Sequence, residues 1–350
     1  MSTLTLGTIK QFDSSAAGEK SVARLSNTKF VIAFKDEDDN DNGKVIIGTV
    51  SGTTVSITDD SAVIFEAGNV SKIEVKAFSE TSFVIAYKDD SDGNKVKLVA
   101  GTVSGTTITL GSIVELDANT AGAVGVETLS SGVGLAVYMI TGSTAIYQRA
   151  FTLSGTTITM QGSADTLFTH AVFTNCNCVK LAPISTTKAL IFFHFNNAGT
   201  AERVDAIVGT VDLDTYACTH GTSAIVKNEA GSEAFFFVAP LNTMYFIVGC
   251  DDDVIPVKVD GATITVGTPV EIEAAASSPA VVGTDSTHWI TAYIDTGDSN
   301  KGKVLKGTAD NNVFTADGVA TDFEADPTDD IAACKLLDQY FIICHKETPA

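Results

Sequence analysis

The side chains best suited to chemistry lie in a short acidic segment, residues 36–43, which reads DEDDNDNG. Alternating carboxylate and amide oxygens suit a hard cation, because Ca²⁺ takes about six to eight oxygen ligands. Asp36, Asp38 and Asn40 are therefore the candidate metal ligands, and Ca²⁺ is the one cofactor that the sequence suggests. The segment departs from EF-hand spacing, and no glutamate follows at the required position, so the pattern favours a solvated hairpin tip over a calcium site.

Residues that often act in catalysis are scattered along the chain. The five histidines show neither H-x-x-x-H nor H-E-x-x-H spacing, and the sequence contains no nucleophile elbow or phosphate-binding loop. Any chain with 43 acidic residues can place two carboxylates together as glycoside hydrolases do. The sequence nevertheless predicts no catalytic residue and no enzyme activity, and a hydrolase is the weaker alternative.

The six cysteines show no spacing typical of a disulfide framework. Cys250 and Cys344 fall inside apolar segments, where a reduced cysteine packs as a small apolar side chain. Cys176 and Cys178 form a C-x-C pair, but a zinc site needs a second Cys or His pair at suitable spacing. The sequence therefore predicts no metal site at the cysteines.

The net charge of −21 restricts the partners. Nucleic acid and anionic membrane surfaces both bind through clustered Lys and Arg, and the three arginines of this chain are scattered. The first residues, MSTLT, are not basic and no apolar segment follows them, so we expect no signal peptide. No run of 18 apolar residues occurs, so we also expect no membrane insertion.

The elements that position these side chains are defined by an internal repeat. Residues 30–36 read FVIAFKD and residues 83–89 read FVIAYKD, at an offset of 53. The segment GTVSGTT at 48–54 returns at 101–107 with the same offset. Two separate segments that keep one offset indicate a repeat architecture.

Weaker copies of the apolar segment continue to the end of the chain. Its fifth position is held in turn by Phe34, Tyr87, Tyr138, Phe193, Cys250, Tyr293 and His345. Seven copies at about fifty residues, numbered here as repeats 1 to 7, are typical of β-propeller blades. We expect Phe34, Tyr87, Tyr138, Phe193 and Tyr293 to be buried at equivalent places in the second strand of each blade.

The predicted fold is all-β: a single domain, residues 1–350, forming a seven-bladed β-propeller with mostly four-stranded blades. Each repeat reads as a short strand, the apolar second strand, a polar turn, a third strand and a fourth strand. A solenoid also stacks repeats, but it does not explain why the chain starts within a repeat. Residues 2–8 resemble the fourth strand at 106–112, so we expect strand 3–12 to complete the last blade, formed by 329–350, and to close the ring.

One strand of the last blade is left unaccounted for. Six repeats contain a third strand, but the sequence stops soon after the second strand of repeat 7. The blade can have three strands, with 3–12 moved inward to pair with residues 341–345, and this is the alternative that we favour. Otherwise a gap leaves unpaired backbone groups that can accept a strand from another chain.

The repeat resembles one found in tail and tail-fibre proteins of bacteriophages, notably marine ones, with the pattern F-V-[IV]-A-Y-x-D followed by G-T-V-S-G-T-[ST]-I. The resemblance is strong over about residues 20–160 and 262–308, whereas 165–260 has diverged. It implies a non-enzymatic virion protein of the tail that is exposed outside cells. Its implied partners are other virion or tail proteins and a host receptor or glycan. The alternative is a secreted or surface carbohydrate-binding propeller of bacteria, and a propeller glycoside hydrolase ranks below it.

Overall fold

A computed structural model describes residues 4–13, 16–58, 61–130, 132–169, 176–197, 201–229, 236–337 and 340–347. Within these ranges the protein is all-β and no helix occurs, so no described helix is long and apolar enough to cross a membrane. Each strand pairs with its neighbours in antiparallel fashion. The side chains of one sheet pack against those of the next to form a series of apolar cores.

Repeats 1 and 2 build one continuous sheet. The strands of this sheet are β1 (Ala17–Ser26), β2 (Lys29–Asp36), β3 (Asn42–Ser51), β4 (Thr54–Ile57), β5 (Val63–Ser79), β6 (Ser82–Asp89), β7 (Lys95–Ser104), β8 (Thr107–Leu110) and β9 (Val114–Asp117). The start of β5 pairs with β3 and its end pairs with β6, so this strand leaves one repeat and enters the next. The outer edge of each third strand is shared by two short segments, as β3 shows with β4 and β5.

Repeats 3, 4 and 5 form three separate five-stranded sheets. Repeat 3 contains β10 (Ala121–Ser130), β11 (Val133–Ile140), β12 (Ala145–Ser154), β13 (Thr157–Met160) and β14 (Asp165–Thr169). Repeat 4 contains β15 (Cys176–Ser185), β16 (Lys188–Asn197), β17 (Ala201–Val211), β18 (Cys218–His220) and β19 (Ala224–Glu229). Repeat 5 contains β20 (Phe236–Pro240), β21 (Tyr245–Cys250), β22 (Asp253–Asp260), β23 (Thr263–Val266) and β24 (Val270–Glu271).

Repeats 6 and 7 share the last sheet, whose strand order is sequential. Its strands are β25 (Ala276–Gly283), β26 (His288–Asp295), β27 (Lys301–Asp310), β28 (Val313–Leu337) and β29 (Tyr340–Glu347). The start of β28 pairs with β27 and its end pairs with β29, so β28 repeats the role of β5. Repeat 7 therefore contains only the end of β28 and β29 among the described residues.

The second strands lie between neighbouring sheets and bury both faces. Phe34, Tyr87, Tyr138, Phe193 and Tyr293 are all fully buried, so the alignment of the repeat at this position is confirmed. Side chains from adjacent repeats meet around them: the core that contains Val31 and Ala33 of repeat 1 also contains Phe83 and Tyr87 of repeat 2. Burying a large apolar side chain stabilises a fold by roughly 1.5–3 kcal/mol, so these strands dominate the packing.

The first strand of each repeat contacts the first strand of the next. These contacts run from β1 to the end of β5, then through β10, β15, β20 and β25 to the end of β28. The end of β28 also contacts β1, which joins the last repeat to the first. This order of contacts is the one expected for blades arranged around an axis.

A hydrogen bond links the second strand of one repeat to the outer edge of the repeat before it. The Tyr87 hydroxyl donates to Glu66 Oε2 at 2.8 Å, and burial together with this carboxylate raises the pKa of Tyr87. Tyr138 donates to Asp117 in the same way, at 3.2 Å. Tyr293 donates to Glu273 at 3.1 Å. The carboxylate precedes its tyrosine by 20 or 21 residues each time, so the link is a property of the repeat.

The N-terminal segment, residues 4–12, lies at the junction of repeat 7 and repeat 1. Phe12 contacts Phe34 edge-on at 5.2 Å between ring centroids, as Phe65 contacts Tyr87 at 5.1 Å. The backbone of Gly7 lies against Thr53, as that of Gly111 lies against Thr156. Residues 7 and 12 thus make the contacts that an outer edge of a preceding repeat makes elsewhere.

The expectation that residues 3–12 form a hydrogen-bonded strand of the last blade is corrected by the structure. Thr3 lies outside the described residues, and residues 4–12 form no ladder with β29. Their single bridge is parallel and joins Thr8 to Thr54 of repeat 1. The physical reason is that an outer strand pairs with a third strand, and the described part of repeat 7 has none. Within the described part of the chain, the three-stranded blade that the sequence favoured is therefore not formed.

The tyrosine–carboxylate link predicts a specific loss of stability. Tyr87→Phe should lower the free energy of unfolding by about 1 kcal/mol, because the hydrogen bond from the buried Tyr87 hydroxyl is lost while Lys97 stays 3.9 Å from the half-buried Glu66 carboxylate. Urea denaturation followed by tryptophan fluorescence measures the change. The control is Tyr147→Phe, since Tyr147 stacks on Tyr138 and donates to no carboxylate within the described ranges. An equal loss in both variants would contradict the role of the link.

Candidate functional site

The acidic turns are organised around a buried ion pair rather than around an open cavity. Asp36 is buried, and its Oδ2 lies 2.5 Å from Lys44 Nζ on β3. Its Oδ1 accepts a hydrogen bond from the backbone N–H of Asp38 at 3.1 Å. The carboxylate therefore joins the end of β2 to the start of β3 and also shapes the turn between them.

The same arrangement recurs in two other repeats. Asp89 Oδ2 lies 2.6 Å from Lys97 Nζ, and Asp295 pairs with Lys303 in equivalent positions. The aspartate precedes its lysine by eight residues in each case. Although burial raises the pKa of Asp89, the hydrogen bonds from Lys97 and Ser91 outweigh it and lower that pKa. The acidic turns thus carry a structural pair that repeats with the blades.

The structure does not gather the three sequence-predicted metal ligands into one set. Asp36 is engaged as described above, Asp38 Oδ2 accepts the backbone N–H of Ala16 at 3.0 Å, and Asn40 is exposed with a positive φ of 56°. These contacts support the hairpin-tip interpretation of the segment. The cysteines are all free, and burial raises the pKa of Cys176 to about 12. Such a thiol remains protonated at neutral pH.

A second group of charges lies on the first strands of repeats 2, 3 and 4. Lys76 Nζ lies 2.9 Å from Glu127 Oε2 and 3.5 Å from Glu74 Oε1, and it donates to the carbonyl of Leu181 at 3.1 Å. Burial lowers the pKa of Lys76, but the two carboxylates outweigh burial and raise it. Lys180 lies 3.9 Å from Glu74, so two cations balance two anions. This group joins three inner strands, although Glu74 Oε2 is buried without a hydrogen-bond partner among the described residues and burial raises the pKa of Glu127.

A large cavity lies at the junction between repeat 7 and repeat 1. Its volume is about 1320 Å³. Its walls come from the N-terminal segment and from repeats 1 and 6, where Ile32, Val55 and Ile290 line it, and β29 also lines it. Small-molecule pockets typically measure about 300–1,000 Å³, so this groove suits a larger ligand.

The edge of β29 forms the floor of this groove. Within the described residues β29 pairs only with β28, whereas β2, β6 and β26 each pair on both sides. A strand paired on one side presents a row of backbone N–H and C=O groups on the other. The groove therefore offers hydrogen-bonding groups along its floor and apolar side chains on its walls.

One end of the groove is acidic. The side-chain ligand atoms of Glu324, His345 and Glu347 lie within 4.8 Å of one another. His345 Nε2 is 3.4 Å from Glu324 Oε2, and the His345 ring meets Phe323 edge-on at 5.3 Å. Burial lowers the pKa of His345 below its ordinary value although Glu324 opposes this shift. His345 and Glu347 line this end of the groove, and the buried carboxylate of Glu324 lies next to them.

His345 and Glu324 take the places of the tyrosine and carboxylate in the links described above. Glu324 precedes His345 by 21 residues, as Glu66 precedes Tyr87. Sequence reasoning placed His345 at the second-strand position but missed its partner Glu324, and it did not single out Glu347. An offset of 20 or 21 residues, applied to each second-strand position, would have found this partner.

No known protein family matches the chain, and no curated protein matches it. Its fold is similar to that of a polysaccharide lyase PL25 ulvan lyase, with a TM-score of 0.59, 9% identity, and coverage of 96% of this chain and 92% of that chain. It is also similar to the lectin of Aleuria aurantia, described as a six-bladed β-propeller, with a TM-score of 0.52 and 11% identity over 87% of this chain and 96% of that chain.

A third similar structure is a mutant of AofleA from Arthrobotrys oligospora, with a TM-score of 0.50 and 9% identity. That match covers 97% of this chain and 92% of the other. At such identities the likeness shows the fold alone. The chain is therefore an all-β protein with a β-propeller-like fold.

The engaged carboxylates of the acidic turns predict the response to calcium. Added Ca²⁺ and added chelator should leave the melting temperature unchanged, because a ligand stabilises a fold only if it binds the native state. Differential scanning calorimetry of the metal-stripped protein makes the measurement. A rise in melting temperature that calcium causes and Asp38→Asn abolishes would contradict the structural interpretation of the 36–43 turn.

Proposed function

We propose that this protein is a closed, seven-bladed β-propeller that acts as a non-enzymatic structural or attachment protein of a bacteriophage particle. In this proposal it belongs to the tail or tail fibre, is made in the host cytoplasm and is exposed outside cells in the virion. The observation that carries its role as a binding protein is the large groove along the free edge of β29.

The contacts at the junction support a closed ring of seven blades. The end of β28 contacts β1, as each inner strand contacts the next. Lys346 Nζ lies 2.6 Å from Glu37 Oε2, which ties β29 to the turn after β2. Lys20 lies 2.9 Å from Asp330 and joins β1 to β28. These pairs act across the same boundary that the N-terminal segment covers.

The arrangement of titratable groups supports binding rather than catalysis. The acidic turns, the tyrosine–carboxylate links and the inner-strand charges each use their polar atoms to hold one strand against another. Catalytic carboxylates need an accessible position next to a substrate cavity. The repeat thus places many of its acidic residues at structural joints, and the groove, with Glu347 at one end, is the accessible feature that supports binding.

The phage setting rests on the resemblance of the repeat to tail and tail-fibre proteins. A rigid closed fold with an acidic, solvated surface suits a protein outside cells, because net charge limits association. Partners in this proposal are other virion or tail proteins and a host surface receptor or glycan.

Glycan binding is the second candidate function. It is supported by the similarity of the fold to a lectin and to a polysaccharide lyase. In this form the protein is a carbohydrate-binding propeller, and a glycan array tests it with labelled protein. Selective, saturable binding to one glycan class supports this candidate, and an array without binding would remove it.

Mass spectrometry of purified particles tests the proposed function. We expect peptides of this protein in particles that band at constant density and survive nuclease and salt washing. Antibody labelling in electron microscopy should then place the protein on the tail. Its absence from washed particles, with expression in the infected cell verified, would refute the virion role.

A further inference from the structure

We infer that the groove is an acceptor site for one β-strand of a partner protein. The strand pairs antiparallel with β29 and carries a Lys or Arg opposite His345 and a glycine opposite Phe341. This inference rests on the proposed role as a protein-binding component and names the chemistry of the partner. The six other repeats supply the template, because each pairs its second strand with a third strand that repeat 7 lacks among the described residues.

The register of the incoming strand follows from the complete repeats. Phe34 faces Lys44 across the ladder of repeat 1, Tyr87 faces Lys97 in repeat 2, and Tyr293 faces Lys303 in repeat 6. His345 holds the corresponding position on β29. An incoming strand that pairs with the same geometry therefore places the residue that corresponds to Lys44, Lys97 or Lys303 at the acidic end of the groove.

The acidic end calls for a cation at that position. In repeats 1, 2 and 6 the lysine pairs with the aspartate two residues after the second-strand aromatic, at the end of the strand. Glu347 holds this place in repeat 7, and it has Glu324 and His345 as neighbours within 4.8 Å. A lysine or arginine from the partner would balance Glu347 as Lys97 balances Asp89. Charge-assisted hydrogen bonds of this kind are about twice as strong as neutral ones.

The glycine requirement follows from the aromatic residue at the start of the second strand. Phe30 faces Gly48, Phe83 faces Gly101 and Trp289 faces Gly307. A Cβ at any of these glycines would collide with the aromatic ring that lies across it. Phe341 holds this position on β29, so the partner strand needs a glycine four residues after its lysine.

The exposure of β29 agrees with a missing neighbour. Phe30 and Phe83 are fully buried under their third strands, but Phe341 is only half-buried. Ile32 and Ile85 are also fully buried, whereas Ile343 is half-buried. Covering two such side chains stabilises a complex through the loss of apolar surface from water.

The N-terminal segment limits the site to a single strand. Gly7 and Phe12 already make the contacts of an outer edge with repeat 1. Leu4 and Leu6 of the same segment pack in the apolar cluster that contains Phe341 and Ile343, and the groove lies between the segment and β29. β29 is eight residues or about 26 Å long. Strand addition at an exposed edge combines backbone hydrogen bonds for affinity with side-chain pockets for specificity.

A peptide titration with the purified full-length chain tests the inference. The probe is a fluorescent peptide with the sequence of β7, residues 95–104, which carries Lys97 and Gly101 in the required spacing. Fluorescence anisotropy should show saturable binding. A Lys97→Glu peptide should bind about tenfold more weakly, because its carboxylate is repelled by the acidic end of the groove. A Gly101→Val peptide should lose binding, because its side chain collides with the ring of Phe341.

A charge swap keeps the result specific. Glu347→Lys protein should bind the parent peptide about tenfold more weakly and should regain affinity for the Lys97→Glu peptide. Glu80→Lys, which changes an exposed turn far along the chain, serves as the matched control and should bind like wild type. Unchanged melting temperatures verify that the variants are folded.

Saturable binding with the charge swap and the glycine dependence supports the inference. Absence of saturable binding, or equal binding of the parent, Lys97→Glu and Gly101→Val peptides, would overturn it. The titration needs only purified protein and the particle measurement needs only virions. A negative titration beside a positive particle result therefore rejects the strand site alone, and the reverse pair of results rejects the virion role alone.

Discussion

The second strand of each repeat is apolar on both faces, so it must be covered by the repeats on either side of it. Phe34, Tyr87 and Tyr293 are fully buried because a neighbouring sheet lies against them. A single sheet of this composition would expose an apolar face to water, which is unfavourable in proportion to its area. The repeats are thus obliged to stack, and the remaining features of the structure either align this stack or result from it.

Polar pairs fix how each strand is positioned against its neighbours, which apolar packing alone does not determine. Apolar packing is non-directional, whereas a hydrogen bond fixes the position of one strand against another. The tyrosine–carboxylate links act between adjacent repeats, and the aspartate–lysine pairs act within a repeat at the end of its second strand. At the junction, His345 and Glu324 take over the first role. Glu347, at the aspartate position, has carboxylate and imidazole neighbours within 4.8 Å.

Much of this fold can be predicted from the sequence because the repeat is recognisable in short segments that recur at a fixed offset. The FVIAFKD and FVIAYKD segments locate the second strands, and the GTVSGTT segments locate the turns to the outer edges. The link from Glu66 to Tyr87 was not anticipated, because it joins two repeats and Glu66 lies outside both repeated segments. The pairing of residues 4–12 was not predicted correctly either, since it depends on a third strand rather than on the segment itself. For the same reason the sequence left open whether the last blade contains a gap. The acidic end of the groove at Glu347 could be recognised only from the three-dimensional structure.

Among the described residues repeat 7 has no third strand, and one edge of β29 is unpaired. Hydrogen exchange measured by mass spectrometry compares the amides of β29 with those of β6 and β26, which occupy equivalent places in complete repeats. Amides in a paired, covered strand exchange only through opening, whereas outward amides of an edge strand exchange far faster. The account predicts fast exchange in part of β29 and slow exchange throughout β6 and β26. Equal protection in all three strands would contradict it.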